Sequence, residues 1–104
     1  MSVQQTILKK ITSHIQHVDY LAVEDTTYQH LDHLPEGTNE THFNLTVVSD
    51  IFVDMTAVKR HRYIYKILNF ELTHDIHALS LSLYTIQEYQ DEKGYSNHDS
   101  WSTH

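Results

Sequence analysis

The sequence contains no cysteine among its 104 residues. That excludes disulfides, thiolate nucleophiles and thiolate metal ligands supplied by this chain alone. Proline occurs once and glycine twice, too few for a long low-complexity linker. Lys and Arg number 7 against 14 Asp and Glu, a formal charge of −7 with the histidines neutral. Such a balance argues against a general binder of phosphate backbones, which needs a positive face. No apolar run is long enough for a signal peptide or a membrane span, so the expected setting is the cytoplasm, with no membrane partner. A Gly-rich phosphate loop and a Gly-x-Ser-x-Gly elbow are also missing. No catalytic set is visible, and an enzyme is not expected.

What is present suits one domain living off its packed core. Hydrophobic residues make up 39%, enough for a core at this length without staples. The anomaly is histidine, with ten copies. Lowering the pH through about 6.5 protonates imidazoles and shrinks the negative charge, so solubility and association are expected to depend on pH.

Ser2 with Gln5 three residues later fits a capping box. Ile7, Leu8, Ile11 and Ile15 follow at helical spacing, which predicts an amphipathic helix over Val3–Gln16. Tyr20–Asp25 reads as a short strand. Thr26–Thr41 is polar, holds Pro35 and Gly37, and reads as a loop. Connections that long are more often functional or mobile. Phe43, Leu45 and Val47 alternate with polar neighbours, the clearest strand in the chain. Ser49–Met55 breaks the alternation. A short helix is expected over Thr56–His61, and a second from Arg62 on the spacing Ile64, Ile67, Leu68, Leu72, ending at Thr73-His74-Asp75. Leu79, Leu81 and Leu83 alternate with Ser80, Ser82 and Tyr84 as a third strand, the serines on the sheet surface. Thr85 with Glu88 is a second capping box, opening a helix through about Tyr89. Residues 91–104 read as a polar, disordered tail after a domain over 1–90. The order α-β-β-α-α-β-α implies an α+β layer, with helices on one face of a three-stranded sheet.

Three stretches in this order resemble the BolA family: Val47-Val48-Ser49-Asp50-x-Phe52, Arg60-His61-Arg62-x-x-Tyr65 and His77-Ala78-Leu79-Ser80. Thr85-x-x-Glu88-Tyr89 is similar to the segment that closes the domain. Thr27-Tyr28-Gln29-His30 and Glu40-Thr41-His42-Phe43 also resemble members named for BolA itself. The resemblance covers about residues 1–90. One position departs from it. The family usually has glycine two residues after the phenylalanine of Ser-Asp-x-Phe, and here that residue is Asp54. A glycine there suggests a left-handed turn, which Asp tolerates at some cost. The resemblance implies a class II KH-like fold without the Gly-x-x-Gly loop. It also implies a non-enzymatic adaptor that pairs with a monothiol glutaredoxin to hold a bridging 2Fe–2S (two-iron two-sulfur) cluster. The partner side would supply its cysteine and a bound glutathione. This side would supply a histidine of the His-Ala-Leu motif and a ligand from the loop between the first two strands.

Only histidine can meet that demand here. Two imidazoles on one iron and two thiolates on the other resemble the Rieske arrangement, which raises the reduction potential. His77 is the first expected ligand. The plainer reading makes it a core-edge residue, because it shares parity with Leu79, Leu81 and Leu83. The second expected ligand is His30, counted forward from Tyr28, or His33, counted back from Pro35; His30 is preferred. His42 is expected to pack at a strand edge. His14/His17, His30/His33 and His74/His77 have a spacing that puts both rings on one side of a helix, a weak and open site at most.

Lys59, Arg60, Arg62 and Lys66 hold four of the seven Lys and Arg residues. They read plainly as a solvated helix start, with Arg62 tied to a nearby carboxylate. More sharply, Arg60, His61 and Arg62 would shape a partner-binding surface beside the cluster ligands. DNA is the second class of partner, contacted by Lys59, Arg60, Arg62 and Lys66 in a salt-sensitive way. A homodimer remains open at this point.

Overall fold

The computed structural model describes residues 2–27 and 41–93. Helix α1 (Val3–His14) opens on the capping box. The Ser2 hydroxyl accepts from the Gln5 backbone N–H at 3.1 Å, and the Gln5 side chain accepts from the Ser2 N–H at 2.9 Å. The helix ends two residues before the expected Gln16, because the backbone turns extended at Ile15. That turn still leaves Ile15 buried beside Ile7 and Ile11.

Strand β1 (Tyr20–Asp25) pairs antiparallel with β2 (His42–Val48), and β2 pairs parallel with β3 (Ala78–Tyr84). The sheet order is β1-β2-β3. A parallel pair needs a crossover, since no tight turn can reverse the chain twice. Helices α2 (Ala57–Ile67) and α3 (Asn69–His74) provide it, and α4 (Ile86–Glu92) is the last element among the described residues. The register lines up Leu21, Val47 and Leu83, then Val23, Leu45 and Leu81, then Phe43 and Leu79 on one face. Ile7 and Ile11 of α1, Phe52, and Ile64 of α2 with Leu68 pack against those rows as the core. Each fully buried side chain of this kind stabilises the fold by roughly 1.5–3 kcal/mol. The opposite face carries Glu24, Asn44, Ser80 and Ser82, all exposed. At one end of it, Tyr89 of α4 stacks on Tyr20, with ring centres 5.5 Å apart, and meets Tyr84 at 5.6 Å.

The middle of the chain corrects the sequence reading. Thr56–His61 and the segment from Arg62 are one helix, α2, capped by Thr56, whose hydroxyl accepts from the Lys59 N–H at 3.1 Å. Nothing in Lys59-Arg60-His61-Arg62 opposes helix, because long charged side chains lose little rotamer freedom there. The break comes later, at the buried Leu68 (φ −99°, ψ 18°). α4 runs beyond Tyr89 to Glu92, and residues 94–104 of the expected tail lie outside the described residues.

Asp54 has φ 69°, the one non-glycine residue with positive φ among those described. The turn between the 3₁₀ segment Asp50–Phe52 and α2 therefore takes the left-handed conformation expected at this position. Two ion pairs tie the helices down. Lys10 of α1 meets Glu71 of α3 at 2.9 Å, and the Glu71 side chain is only 5% exposed. Arg60 is tied in more completely. Its Nε donates to the Met55 carbonyl at 3.0 Å and one terminal nitrogen to the Leu83 carbonyl at 3.2 Å. The guanidinium grips both oxygens of Glu88, at 2.6 and 3.0 Å, and lies over the Phe52 ring. It is Arg60, not Arg62, that holds a carboxylate, and it joins α2, β3 and α4. The hydrogen bonds from Arg60, then those from Thr85, push the Glu88 carboxyl down to about 2.

Two measurements check these features. Asp54→Gly removes the left-handed penalty and keeps stability within about 1 kcal/mol of the parent or above it. Asp54→Val lowers it by about 1–2 kcal/mol in urea unfolding. A glycine variant less stable than the valine variant would contradict the assignment. Because the carboxyl is depressed in the folded state, the Glu88 contribution is full above its ordinary range near pH 4.5 and is lost as pH falls toward 2. Glu88→Gln keeps the cap but loses the ion pair. It should be less stable than the parent at neutral pH by roughly 0.5–1 kcal/mol, a gap that closes on acidification to about pH 2.

Candidate functional site

The parallel pairing of β2 with β3 decides where the histidines meet. His42 is the first residue of β2 and pairs with Ala78, the first residue of β3. His77 immediately precedes β3, and its N–H donates to the Thr41 carbonyl at 2.8 Å. The two imidazoles thus come together at one corner of the sheet, ring centres 5.1 Å apart and planes 47° to each other. His77 is exposed, so its parity with the leucines does not bury it, and His42 is half-buried. Thr41 Oγ1 hydrogen-bonds His42 Nδ1 at 2.9 Å, which sets the ring's orientation.

His42 is the residue that sequence reasoning passed over. It was expected only to pack at a strand edge, and the structure makes it the ring neighbour of His77. A signal existed. His42-Phe43-x-Leu45 and His77-Ala78-Leu79-x-Leu81 each place histidine at the start of an alternating apolar run. Only knowledge that the two strands run parallel turns that repetition into proximity.

The other expected ligands, His30 and His33, lie outside the described residues. The chain on either side of them leaves from Thr27 and returns at Thr41. Thr27 Oγ1 accepts from the Thr41 and His42 N–H groups at 3.0 and 3.1 Å, so both ends belong to the same corner. His14 and His17 do not share a helix, because α1 ends at His14, whose Nδ1 donates to the Lys10 carbonyl at 2.9 Å. His74 ends α3, donates from Nδ1 to the Phe70 carbonyl at 2.9 Å and stacks on the Phe70 ring at 4.1 Å. It does not pair with His77. Among the described residues, no group of three or more His, Cys, Asp or Glu side chains comes together in a metal-binding arrangement.

The basic residues stand elsewhere. Arg60 meets β3 at Leu83, six residues along from His77 and so about 20 Å away at strand rise. It does not flank the histidine corner, and its charge is engaged by Glu88. Lys59, His61, Arg62 and Lys66 are exposed on α2. The His61 ring lies 6.2 Å from that of Tyr65. The described residues contain no ion pair for Lys59, Arg62 or Lys66.

Chemically, the corner offers two imidazoles in reach of one another, one with a hydrogen-bonded support, and no third donor among the described residues. Two rings bound to one tetrahedral metal, with nitrogens about 2.0–2.1 Å from it, have centres about 5 Å apart. Two imidazoles alone are fewer donors than a closed tetrahedral site has. No helix among the described residues is long and apolar enough to cross a membrane.

Comparison with known proteins places these features in a family. A family model described as BolA-like protein matches residues 11–88. The chain is 43% identical over 90 residues to the DNA-binding transcriptional regulator BolA of Haemophilus influenzae, covering 86% of this chain and 84% of that one. Among solved structures it is similar to BolA1 from Arabidopsis thaliana, with a TM-score of 0.76 and 36% identity, covering 85% of this chain and 96% of that one. It is likewise similar to the BolA domain of SufE1 from Arabidopsis thaliana, with a TM-score of 0.74, 42% identity and the same coverage. With the family model matched over residues 11–88 and relatives of this identity and coverage, the chain belongs to the BolA-like family.

Proposed function

We propose that this protein is an adaptor that docks on a monothiol glutaredoxin and shares a 2Fe–2S cluster with it, for iron–sulfur trafficking or sensing. The observation that carries the reading is the His42–His77 pair, 5.1 Å between ring centres at an accessible corner of the sheet. The donor chemistry fits one iron of such a cluster. Imidazole is a common iron ligand, and the chain has no thiolate to offer the other. A partner carrying a cysteine and glutathione supplies what is missing. His77 is the primary ligand of this side. The second imidazole comes from His42, beside it, or from His30 or His33 in the segment that starts and ends at the same corner. When bound, the cluster with imidazole ligation would have a higher reduction potential than one held by thiolates alone.

Absorption and circular dichroism test this directly. Cluster-loaded monothiol glutaredoxin with glutathione is titrated anaerobically with this protein. The expected result is a new visible spectrum saturating at one to one, reduced at least tenfold in His77→Ala while the far-ultraviolet signal is retained. Single alanine variants of His42, His30 and His33 then identify the second ligand. An unchanged visible spectrum, with no complex formed, would sink the reading.

A second reading has its own support. The Haemophilus influenzae relative is named a DNA-binding regulator, and Lys59, Arg62 and Lys66 present cationic groups on the outer side of α2. DNA binding there should be salt-dependent. Arg62→Ala and Lys66→Ala should each weaken it and lower the salt slope by about one. His77→Ala should leave it unchanged. Arg60 is a poor probe, since removing it breaks the link to Glu88 and Leu83. Binding that ignores salt and the α2 variants would exclude this face.

A further inference from the structure

The sheet has two edges, β1 and β3, and they are not alike. β1 carries Glu24 and Asp25, and Gln4 Nε2 donates to the Val23 carbonyl on its outer side at 2.6 Å. β3 reads Ala78-Leu79-Ser80-Leu81-Ser82-Leu83-Tyr84, with no charge and no proline. Charges, prolines and bulges are the usual means by which a sheet edge is kept from pairing with another chain. One such guard stands at the far end of β3, where Arg60 donates to the Leu83 carbonyl at 3.2 Å while gripping Glu88. The direction of the other backbone groups follows from the ladder. The Ala78 N–H donates to the Thr41 carbonyl at 3.2 Å, and the Tyr84 carbonyl accepts from the Ser49 N–H at 2.9 Å. In the β2–β3 register, these bonds turn Ala78, Ser80, Ser82 and Tyr84 toward β2. Leu79, Leu81 and Leu83 therefore turn N–H and C=O away from the sheet. Among the described residues, the Leu83 carbonyl alone of these groups meets a donor. Beside the strand lies an open groove of about 530 Å³, with Leu81, Arg60, His61 and Glu88 in its lining.

We propose that the open β3 edge pairs with the same edge of a second copy of this chain, antiparallel about a two-fold axis at Ser80. The N–H and C=O groups of Leu79 and Leu81 are recognised by another backbone of the same spacing. Leu79-Ser80-Leu81 reads the same in both directions, so a two-fold operation matches donor to acceptor with one kind of surface. Leu79 of each copy faces Leu81 of the other as a hydrogen-bonded pair. Ser80 faces Ser80 as a pair of the other kind, in which side chains come closest, and the serines are small and uncharged. Leu79 and Leu81 pack against the core, so the backbone they present is already ordered. An axis at Leu81 would need the Leu83 carbonyl, which Arg60 engages. Arg60 thus sets the register. The acidic β1 edge, with Gln4 across it, offers no comparable surface, so the pairing closes as a dimer and does not continue as a filament. The interface is small and each copy carries a formal charge of −7, so the pair is weak and strengthened by salt. No histidine takes part, and the inference stands apart from the reading of the histidines as ligands.

Sedimentation equilibrium of the full chain, from about 10 μM to about 1 mM, tests the pairing. The expected result is a monomer–dimer equilibrium that moves toward dimer as salt rises. A monomer throughout would overturn the proposal and leave the edge to a different occupant. Ser80 is exposed, so charged residues are expected to fold there, as the far-ultraviolet signal would report. Ser80→Lys and Ser80→Glu should each weaken dimerisation about threefold or more, because like charges then face each other across the axis. An equimolar mixture of the two variants should recover the dimer to the parent level or above. A dimer untouched by either variant would overturn the assigned interface. Recovery from Ser80→Lys mixed with Ser82→Glu, and not from the Ser80 pair, would put the axis at Leu81 and overturn the register that Arg60 sets. Should the variants not fold, amide hydrogen exchange of the parent chain decides. The Leu79 and Leu81 N–H groups should exchange more slowly as protein concentration rises. A dimer that leaves their exchange unchanged would overturn the proposal. So would a monomer in which both are already protected, since a segment of the same chain would then hold the edge.

Discussion

Parallel pairing between β2 and β3 is the constraint on which the rest depends. Two strands that start at the same end of a sheet bring their openings together, and here His42 opens β2 while His77 immediately precedes β3. The same pairing demands a crossover, and α2 with α3 supplies it while covering the sheet face that carries Phe43, Leu45 and Val47. Core and site therefore share one origin. The apolar rows set the register, and a shift of one residue would bury Ser80 and Ser82 and expose the leucines. That shift would also change which residue faces His42, so the packing of the apolar rows fixes the register in which the two imidazoles meet.

Charge is distributed to the same effect. The chain is short of cations, with 7 Lys and Arg against 14 acids, yet Lys10 and Arg60 are held internally. Lys10 secures α1 to α3 through the buried Glu71. Arg60 joins α2, β3 and α4 through Leu83 and Glu88. Both ties leave Lys59, Arg62 and Lys66 as the cations displayed on α2, about a strand's length from the histidine corner at the Arg60 end. The molecule thus presents two separate chemistries, an imidazole pair at one end of β3 and a cationic helix surface beginning at the other.

Much of this was legible in the residues. Both capping boxes form as read, because Ser2/Gln5 and Thr85/Glu88 need only local geometry. The three strands follow from alternation and the left-handed turn from the departure at Asp54. The boundary inside the crossover was misplaced because a run of charged residues looks like an interruption, while a helix accepts it on its solvent side. The sequence sets Arg60 beside the expected ligands, whereas Leu83 and Glu88 bind it at the far end of β3 from His77. His42 was undervalued for the converse reason, since its partner lies 35 positions away in the chain.

By itself the sequence determined the run of elements, the absence of thiolate ligands and the abundance of histidine, because periodicity, caps and composition are local properties. The tertiary structure alone decided which histidine stands beside His77, which arginine is consumed by a carboxylate, and that Thr27 and Thr41 close the corner. Those outcomes depend on strand direction and register, which arise only when distant apolar rows pack together.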